Sequence, residues 1–398
     1  MTNSDLVTKQ SDLETHCRIW RSAGSLAFDT EFIRDDTYES ALCLVQVADG
    51  SKVTLIDPTC GLDMDVFWDL VTDERVTAVL HAGKEDFEVC LRATGQPPRN
   101  VFDVQIAAGF LGHGYPLSLS RLVGEVIGRQ ISKGQTLTDW LRRPLTDAQI
   151  RYAIEDVVHL PAIYQQLSAG LVRSGRVEWA AEEFRRFEEP DYYQPPVRDR
   201  LFRVKGTKRL DGLGLAVLER LLDWRDEWAQ ARNRPIRALM RDDVMVEIAR
   251  RRPKRESDLQ VLRGFPQAHN PKIIGEILRI IKDVRETPES GWPKPFRPPE
   301  ELPMSKVMVD ILSAVCRAVC YEQGVSHELL GSAQRLRELL EYYSGRTAER
   351  PALLCGWREE FIGQRLLDLL EGHSELHITG WPDNPHLEVV THSTEPSS

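Results

Sequence analysis

Two carboxylates stand two residues apart at the end of an apolar stretch, in Phe28-Asp29-Thr30-Glu31-Phe32. A β-strand turns successive side chains to opposite faces, so Asp29 and Glu31 emerge together while Leu26 and Phe28 face the other way. Further acidic positions follow in order: Asp86 in Leu80-His-Ala-Gly-Lys-Glu-Asp86, then Asp156 in Tyr152-Ala-Ile-Glu-Asp156. Tyr152 and Asp156 are i, i+4 on an expected helix and share a face. A fold that gathers these residues must set a strand end, the start of one helix and the face of a later helix side by side.

The first ~170 residues alternate strand and helix, which implies a layered domain. Ser25–Phe32, Ala41–Ala48 and Lys52–Ile56 read as strands, the last two joined as a hairpin through Asp49-Gly50. Ala78–His81 ends another strand. Helices are expected over Lys84–Ala93, Val104–Leu111 and Leu119–Ile127, the last with Ser118 as N-cap. Thr146-Asp-Ala-Gln149 has capping-box spacing and is expected to open one long helix to about Leu167. The expected fold class is α/β with a mixed sheet, followed by two small all-α domains.

Two proline-rich stretches, Glu189–Pro196 and Thr287–Pro299, read as linkers. The expected domains are therefore 1–190, 205–290 and 300–398. In the second, Leu215–Trp228 is apolar at helical spacing, and Trp224 and Trp228 are expected in the core. Asp242 is expected to cap Val244–Arg250, Ser257 to cap a short helix from Asp258, and Ile273–Val284 to close the block. Lys306–Tyr343 and Trp357–Glu371 supply the helices of the third, and Leu376–Val390 is partly strand-like.

At a net charge of −10 the chain is not a generic basic nucleic-acid binder. The charge is uneven, however. Lys205 to Ser290 holds 19 Lys/Arg against 14 Asp/Glu, a surplus of five, which leaves −15 on the remainder. A basic module beside an acidic body is compatible with a polyanionic partner. The seven cysteines include no Cys-x-x-Cys pair, so neither a disulfide framework nor a zinc knuckle is suggested. No stretch reaches the roughly 18 consecutive apolar residues of a membrane span, and the first residues lack an apolar signal core. The expected location is the cytoplasm, with no membrane partner. The sequence leaves the oligomeric state open.

Magnesium and manganese favour carboxylate and water oxygens. Asp29, Glu31, Asp86 and Asp156 are thus candidate ligands for two divalent ions, Mg²⁺ or Mn²⁺. Such ions, roughly 4 Å apart, can acidify a water and stabilise a departing 3′ oxygen in phosphodiester hydrolysis. Tyr152, with an ordinary pKa of about 10, is better suited to orienting that water than to serving as its base.

These residues carry a resemblance. Asp29-x-Glu31, Asp86 and Tyr152-x-x-x-Asp156 match the three exonuclease motifs of the DEDD superfamily in its tyrosine subclass. The longer strings, with Thr138-Asp-Trp-Leu-Arg-Arg-Pro-Leu145, resemble the ribonuclease D family. The second block is similar to the helicase-and-RNase-D C-terminal (HRDC) domain through Leu222-x-Trp224-Arg225, Arg234-Pro235, Asp242 to Ile248-Ala249, and Leu262-x-Gly264. The third looks like a diverged second copy. The resemblance implies a 3′→5′ exoribonuclease that trims RNA, notably tRNA precursors, to nucleoside 5′-monophosphates. Asp29, Glu31, Asp86 and Asp156 would be its metal ligands and Tyr152 its water-orienting residue. A Werner-type DNA exonuclease and an idle nucleic-acid-binding scaffold are the alternatives.

Other residues have two readings each. Phe32 could stack on a terminal base or pack in the core. Lys133 could approach a phosphate or be solvated. Arg250, Arg251, Arg252, Lys254 and Arg255 form the densest basic run, either a phosphate-binding patch or a solvated helix end. Gln46 could hydrogen-bond near the site or simply belong to the sheet. His81 reads as structural, His159 as solvated or packed, and Asp103 as a helix N-cap.

Overall fold

The computed structural model describes residues 4–33, 41–131, 139–193, 200–201, 203–295, 302–380, 382–383 and 386–391. Six strands form one mixed sheet: β1 (Ser4–Val7), β2 (Ser25–Ile33), β3 (Ala41–Ala48), β4 (Val53–Ile56), β5 (Thr77–Leu80) and β6 (Val101–Asp103), in the order β1-β4-β3-β2-β5-β6. β2 is central, antiparallel to β3 and parallel to β5. Its apolar residues are locked from beneath, with Phe28 edge-on to Phe67 and Phe87 at 5.4 and 6.2 Å. This aromatic packing fixes the strand on one face, and the alternation then presents Asp29 and Glu31 on the other. The hairpin forms as expected, with Asp49 accepting from the Ser51 and Lys52 amides. β1, parallel to β4, has no counterpart among the strands expected from the sequence.

The helices of this first region are α1 (Gln10–Ala23), α2 (Asp65–Val71), α3 (Lys84–Thr94), α4 (Val104–Phe110), α5 (Leu119–Ile127), α6 (Asp147–Val157), α7 (Leu160–Ser174) and α8 (Val177–Arg185). Asp103 caps α4 by accepting from the Gln105 and Ile106 amides at 2.8 and 3.2 Å. The Thr146–Gln149 capping box opens α6. The single helix expected to Leu167 is instead two, because Pro161 occupies the first turn of α7. Proline has no N–H to continue the ladder and its ring clashes with the preceding turn. Ser118 precedes α5 without a side-chain cap.

The second block has its own core, built from the helices Gly212–Ala231, Asp242–Arg251 and Pro271–Arg285. Trp224 and Trp228 pack half-buried against it. Two expected caps shift by one or two residues. Arg241 is the N-cap of the Asp242 helix, and Asp242 itself accepts from the buried Arg225 guanidinium at 2.6 Å. Arg255, not Ser257, precedes the short helix Glu256–Gln260.

The third block, with helices Ser305–Gln323 and Ala333–Tyr343 and the hairpin of β7 (Ser374–Thr379) and β8 (His386–Thr391), shares one continuous core with the first region. Trp357 packs on Phe110 and Trp179, at 4.9 and 5.9 Å between rings. Buried Glu183 of α8 accepts from Trp357 Nε1 at 2.8 Å and from Arg358 at 2.6 Å. The Ser326 amide donates to the Gly109 carbonyl at 2.8 Å. A Cβ on Gly109 would come within 2.9 Å of the Leu329 side chain, so a larger residue there would push that side chain aside. Among the described residues no helix is long and apolar enough to cross a membrane.

Glu183→Ala strips the carboxylate from the buried Arg358 guanidinium. We expect it to lower the unfolding free energy by about 3–5 kcal/mol, against at most about 1 kcal/mol for Glu247→Ala on the exposed Arg250 and Arg251 pairs. Equal losses in denaturant melts of the two variants would contradict the shared core.

Candidate active site

Asp29, Glu31 and Asp156 converge, each offering a carboxylate oxygen within 4.8 Å of the others. The first two come from β2. Asp156 comes from α6, which lies across β2 and β3. α6 is held there by Arg143, which donates to both oxygens of buried Asp57 at 2.5 and 2.7 Å and to the Cys43 carbonyl at 2.8 Å. The capping Gln149 adds a bond to the Asp139 carbonyl at 3.1 Å. Tyr152, one turn before Asp156, interacts with its carboxylate.

Asp86 arrives differently. The β2–β5 ladder ends at Ala27 and Val79, and α3 begins soon after β5. In the space beside β2 that β5 no longer fills, Asp86 Oδ1 accepts from the Thr30 amide at 3.0 Å and the Thr30 hydroxyl at 2.5 Å. A side chain thus replaces a missing strand partner and is fixed beside Asp29. Across the other ladder, Asp29 faces Gln46, whose Nε2 donates to Asp29 Oδ2 at 3.3 Å.

Burial is the main force on every acid here, because an enclosed carboxylate loses its hydration. Burial first, then the charges of Asp86, Asp156 and Glu31, push Asp29 well above the usual carboxylate range. Burial, then the charges of Asp156 and Asp86, take Glu31 up to about 8. Burial raises Asp86 to about 6 against the opposing Thr30 bonds, and Asp156 to about 6 against the Tyr152 interaction. Tyr152 is itself pushed above its ordinary value by burial and by Asp156, Glu31 and Asp29. Asp156 Oδ2 is buried with no hydrogen-bond partner. Mutually repelling acids around an unsatisfied oxygen are a donor set of the kind a hard divalent cation fits.

Outside this cluster, His81 hydrogen-bonds the Leu117 carbonyl at 2.8 Å, a structural contact. His159 sits at the junction of α6 and α7, its pKa lowered chiefly by burial. Phe32 is half-buried and packs against the core. Lys133 lies outside the described residues. The basic run is largely tied up locally. Arg250 and Arg251 both engage Glu247, Arg252 donates to both oxygens of Asp211 at 2.8 Å, and Arg255 donates to Asp258 at 3.3 Å. Lys254 is exposed. Thr30 and Arg143 went unnoticed in the sequence, since their partners lie 56 and 86 residues away.

Known proteins are similar to this chain over most of its length. Ribonuclease D of Pseudomonas paraeruginosa is 37% identical over 373 residues, covering 92% of this chain and 97% of the relative. The chain belongs to the ribonuclease D family. Ribonuclease D of Bartonella henselae is 32% identical, covering 94% and 92% of the two chains. The crystal structure of Escherichia coli RNase D superimposes with a TM-score of 0.82 at 29% identity, covering 93% and 99%. A 3′-5′ exonuclease profile matches residues 5–171, an HRDC domain profile 214–281, and a ribonuclease D C-terminal HRDC profile 303–366. Like its ribonuclease D relatives, the protein is a 3′→5′ exoribonuclease, a hydrolase acting on RNA.

The raised acid pKa values set a pH dependence. Between about 4 and about 8 these site acids bind more protons in the folded protein than in the unfolded chain. Their contribution to stability therefore falls as pH rises through that window. In chelator, Asp29→Asn should be more stable than the unsubstituted protein at pH 8, and the gap should close toward pH 4–5. Saturating Mg²⁺ or Mn²⁺ should abolish it. A gap that grows on acidification would contradict the repulsion described here.

Proposed function

We propose that Asp29, Glu31, Asp86 and Asp156 hold two divalent ions, Mg²⁺ or Mn²⁺, and that Tyr152 orients the attacking water. The observation that carries this reading is the convergence of three acids on a buried carboxylate oxygen that lacks a partner. When bound, the ions would acidify water and balance the charge that grows on the phosphate. Asp29 and Glu31 would bind side by side from one strand face, Asp156 would close the set from α6, and Asp86 would add a charge oriented by Thr30. Tyr152, with its pKa raised, stays a phenol at neutral pH. Its hydroxyl would direct the proton toward Asp156 and keep an oxygen lone pair to accept from, and so aim, the water.

The substrates we propose are the 3′ ends of tRNA precursors, trimmed to nucleoside 5′-monophosphates. The E. coli relative is an exoribonuclease involved in structured RNA processing. The HRDC module would add backbone contacts through the basic surface that includes Lys254 and Arg255. The seven cysteines are all free thiols, which fits a reducing cytoplasm.

Asp29→Asn or Asp156→Asn should reduce turnover of a 3′-labelled tRNA precursor by at least about 10³-fold while the circular-dichroism spectrum is unchanged. Wild-type rates in either variant with Mn²⁺ would remove the site assignment. Tyr152→Phe should lower kcat by about 10–100-fold and leave KM within a factor of about three. A proportional rise in KM instead would make Tyr152 a binding residue. Lys254→Glu with Arg255→Glu should weaken structured RNA by about tenfold and flatten the salt dependence, with short-oligomer hydrolysis unaffected. Unchanged binding would take this surface out of the RNA path.

A further inference from the structure

We infer that Gln46 is a positioning residue: it holds the Asp29 carboxylate in the orientation that accepts a cation, an inference that rests on reading Asp29 as a metal ligand. Gln46 is fully buried in β3, within the run Leu44, Val45, Val47 and Ala48, all of them buried and apolar. It is in register opposite Asp29 across the antiparallel ladder, so both side chains leave the sheet on the same face. Its Nε2 donates to Asp29 Oδ2 at 3.3 Å.

Two features set this contact apart from ordinary sheet structure. The first is its cost. Gln46 Oε1 is buried with no hydrogen-bond partner, and an unsatisfied buried acceptor is destabilising because its lost hydration is not replaced. Leucine or valine, as at the adjoining positions, would avoid that cost, so packing alone gives no reason for an amide here. The second is its charge. Asp29 is already crowded by Asp86, Asp156 and Glu31. A lysine or arginine at position 46 would fix Asp29 but cancel the negative charge a cation needs, and a carboxylate would add to the repulsion. A neutral amide donor fixes the carboxylate and leaves its charge intact. The orientation of the amide follows as well, because the opposite flip would point Oε1 at the carboxylate. Thr30 performs the same office for Asp86 with a hydroxyl and an amide, again without a cation.

The test compares the full-length protein with Gln46→Met, which keeps length and buried volume without the donor, and with Gln46→Leu as the alternative should the methionine variant fold poorly. Mn²⁺ binding without RNA is measured by the loss of the free-ion EPR signal. Thermal unfolding in chelator and kcat and KM on a single-stranded RNA oligomer accompany it. The expected result is Mn²⁺ affinity and kcat both lower by about 10–100-fold, KM within about a factor of two, and a chelated unfolding midpoint equal to or above that of the unsubstituted protein. Unchanged Mn²⁺ affinity, with or without a lowered midpoint, overturns the inference and makes Gln46 a structural residue. Asp29→Asn is the control. If it retains Mn²⁺ affinity, the ligand reading of Asp29 fails. If it loses affinity while the Gln46 variants do not, that reading stands and the role of Gln46 alone is refuted.

Discussion

Repulsion among carboxylates enclosed in one pocket is the constraint on which the rest of this structure depends. Asp29, Glu31, Asp86 and Asp156 would each be better hydrated on the surface, and every one of them has its pKa raised chiefly by burial. Holding them together requires rigid supports. The aromatic packing under Phe28 fixes β2, the Arg143–Asp57 pair pins the approach to α6, and Thr30 fills an open strand edge with Asp86. Each support acts through a neutral donor or at a distance, so the negative charge of the pocket is preserved.

The two helical blocks relate to that pocket in different ways. The second has a separate hydrophobic core, and most of the cations in its basic run are engaged by its own carboxylates. Local pairing of this kind lowers the field the run presents to a polyanion, since each guanidinium is partly neutralised before any phosphate arrives. The third block is built into the catalytic region through Trp357, Arg358 and Glu183. Truncation after the first linker would therefore expose part of the catalytic region's own core, whereas the second block is held by its own contacts. Similarity to HRDC domains covers both blocks, yet only one of them packs as a self-contained unit.

Much of the architecture was legible because its signals are local. The alternation through Phe28 to Glu31, the Asp49-Gly50 turn, the Thr146 capping box and the Asp103 cap each depend on residues within a few positions of one another. The long helix was misread because the amphipathic period continues past Pro161, and the proline's missing N–H outweighs that period. The cap at Asp242 was misplaced because the Arg225 guanidinium of another helix engages that carboxylate; the helix near Ser257 starts earlier, with the Asp258 carboxylate accepting from the Arg255 amide. Gln46 left a visible trace, a polar residue inside an apolar strand, but its partner became evident only from the register of β2 and β3.

By itself the sequence determined which residue types could do the chemistry and in what order they occur, since the spacing of Asp29 and Glu31 and of Tyr152 and Asp156 sets their shared faces through the periods of strand and helix. Tertiary structure alone decided how close those faces come, which oxygens are left without partners, and which neutral donors hold them. It also decided that Arg358 answers a carboxylate 175 residues earlier in the chain. Those outcomes depend on three-dimensional packing between distant segments, and no local period in a chain encodes a distance across a core.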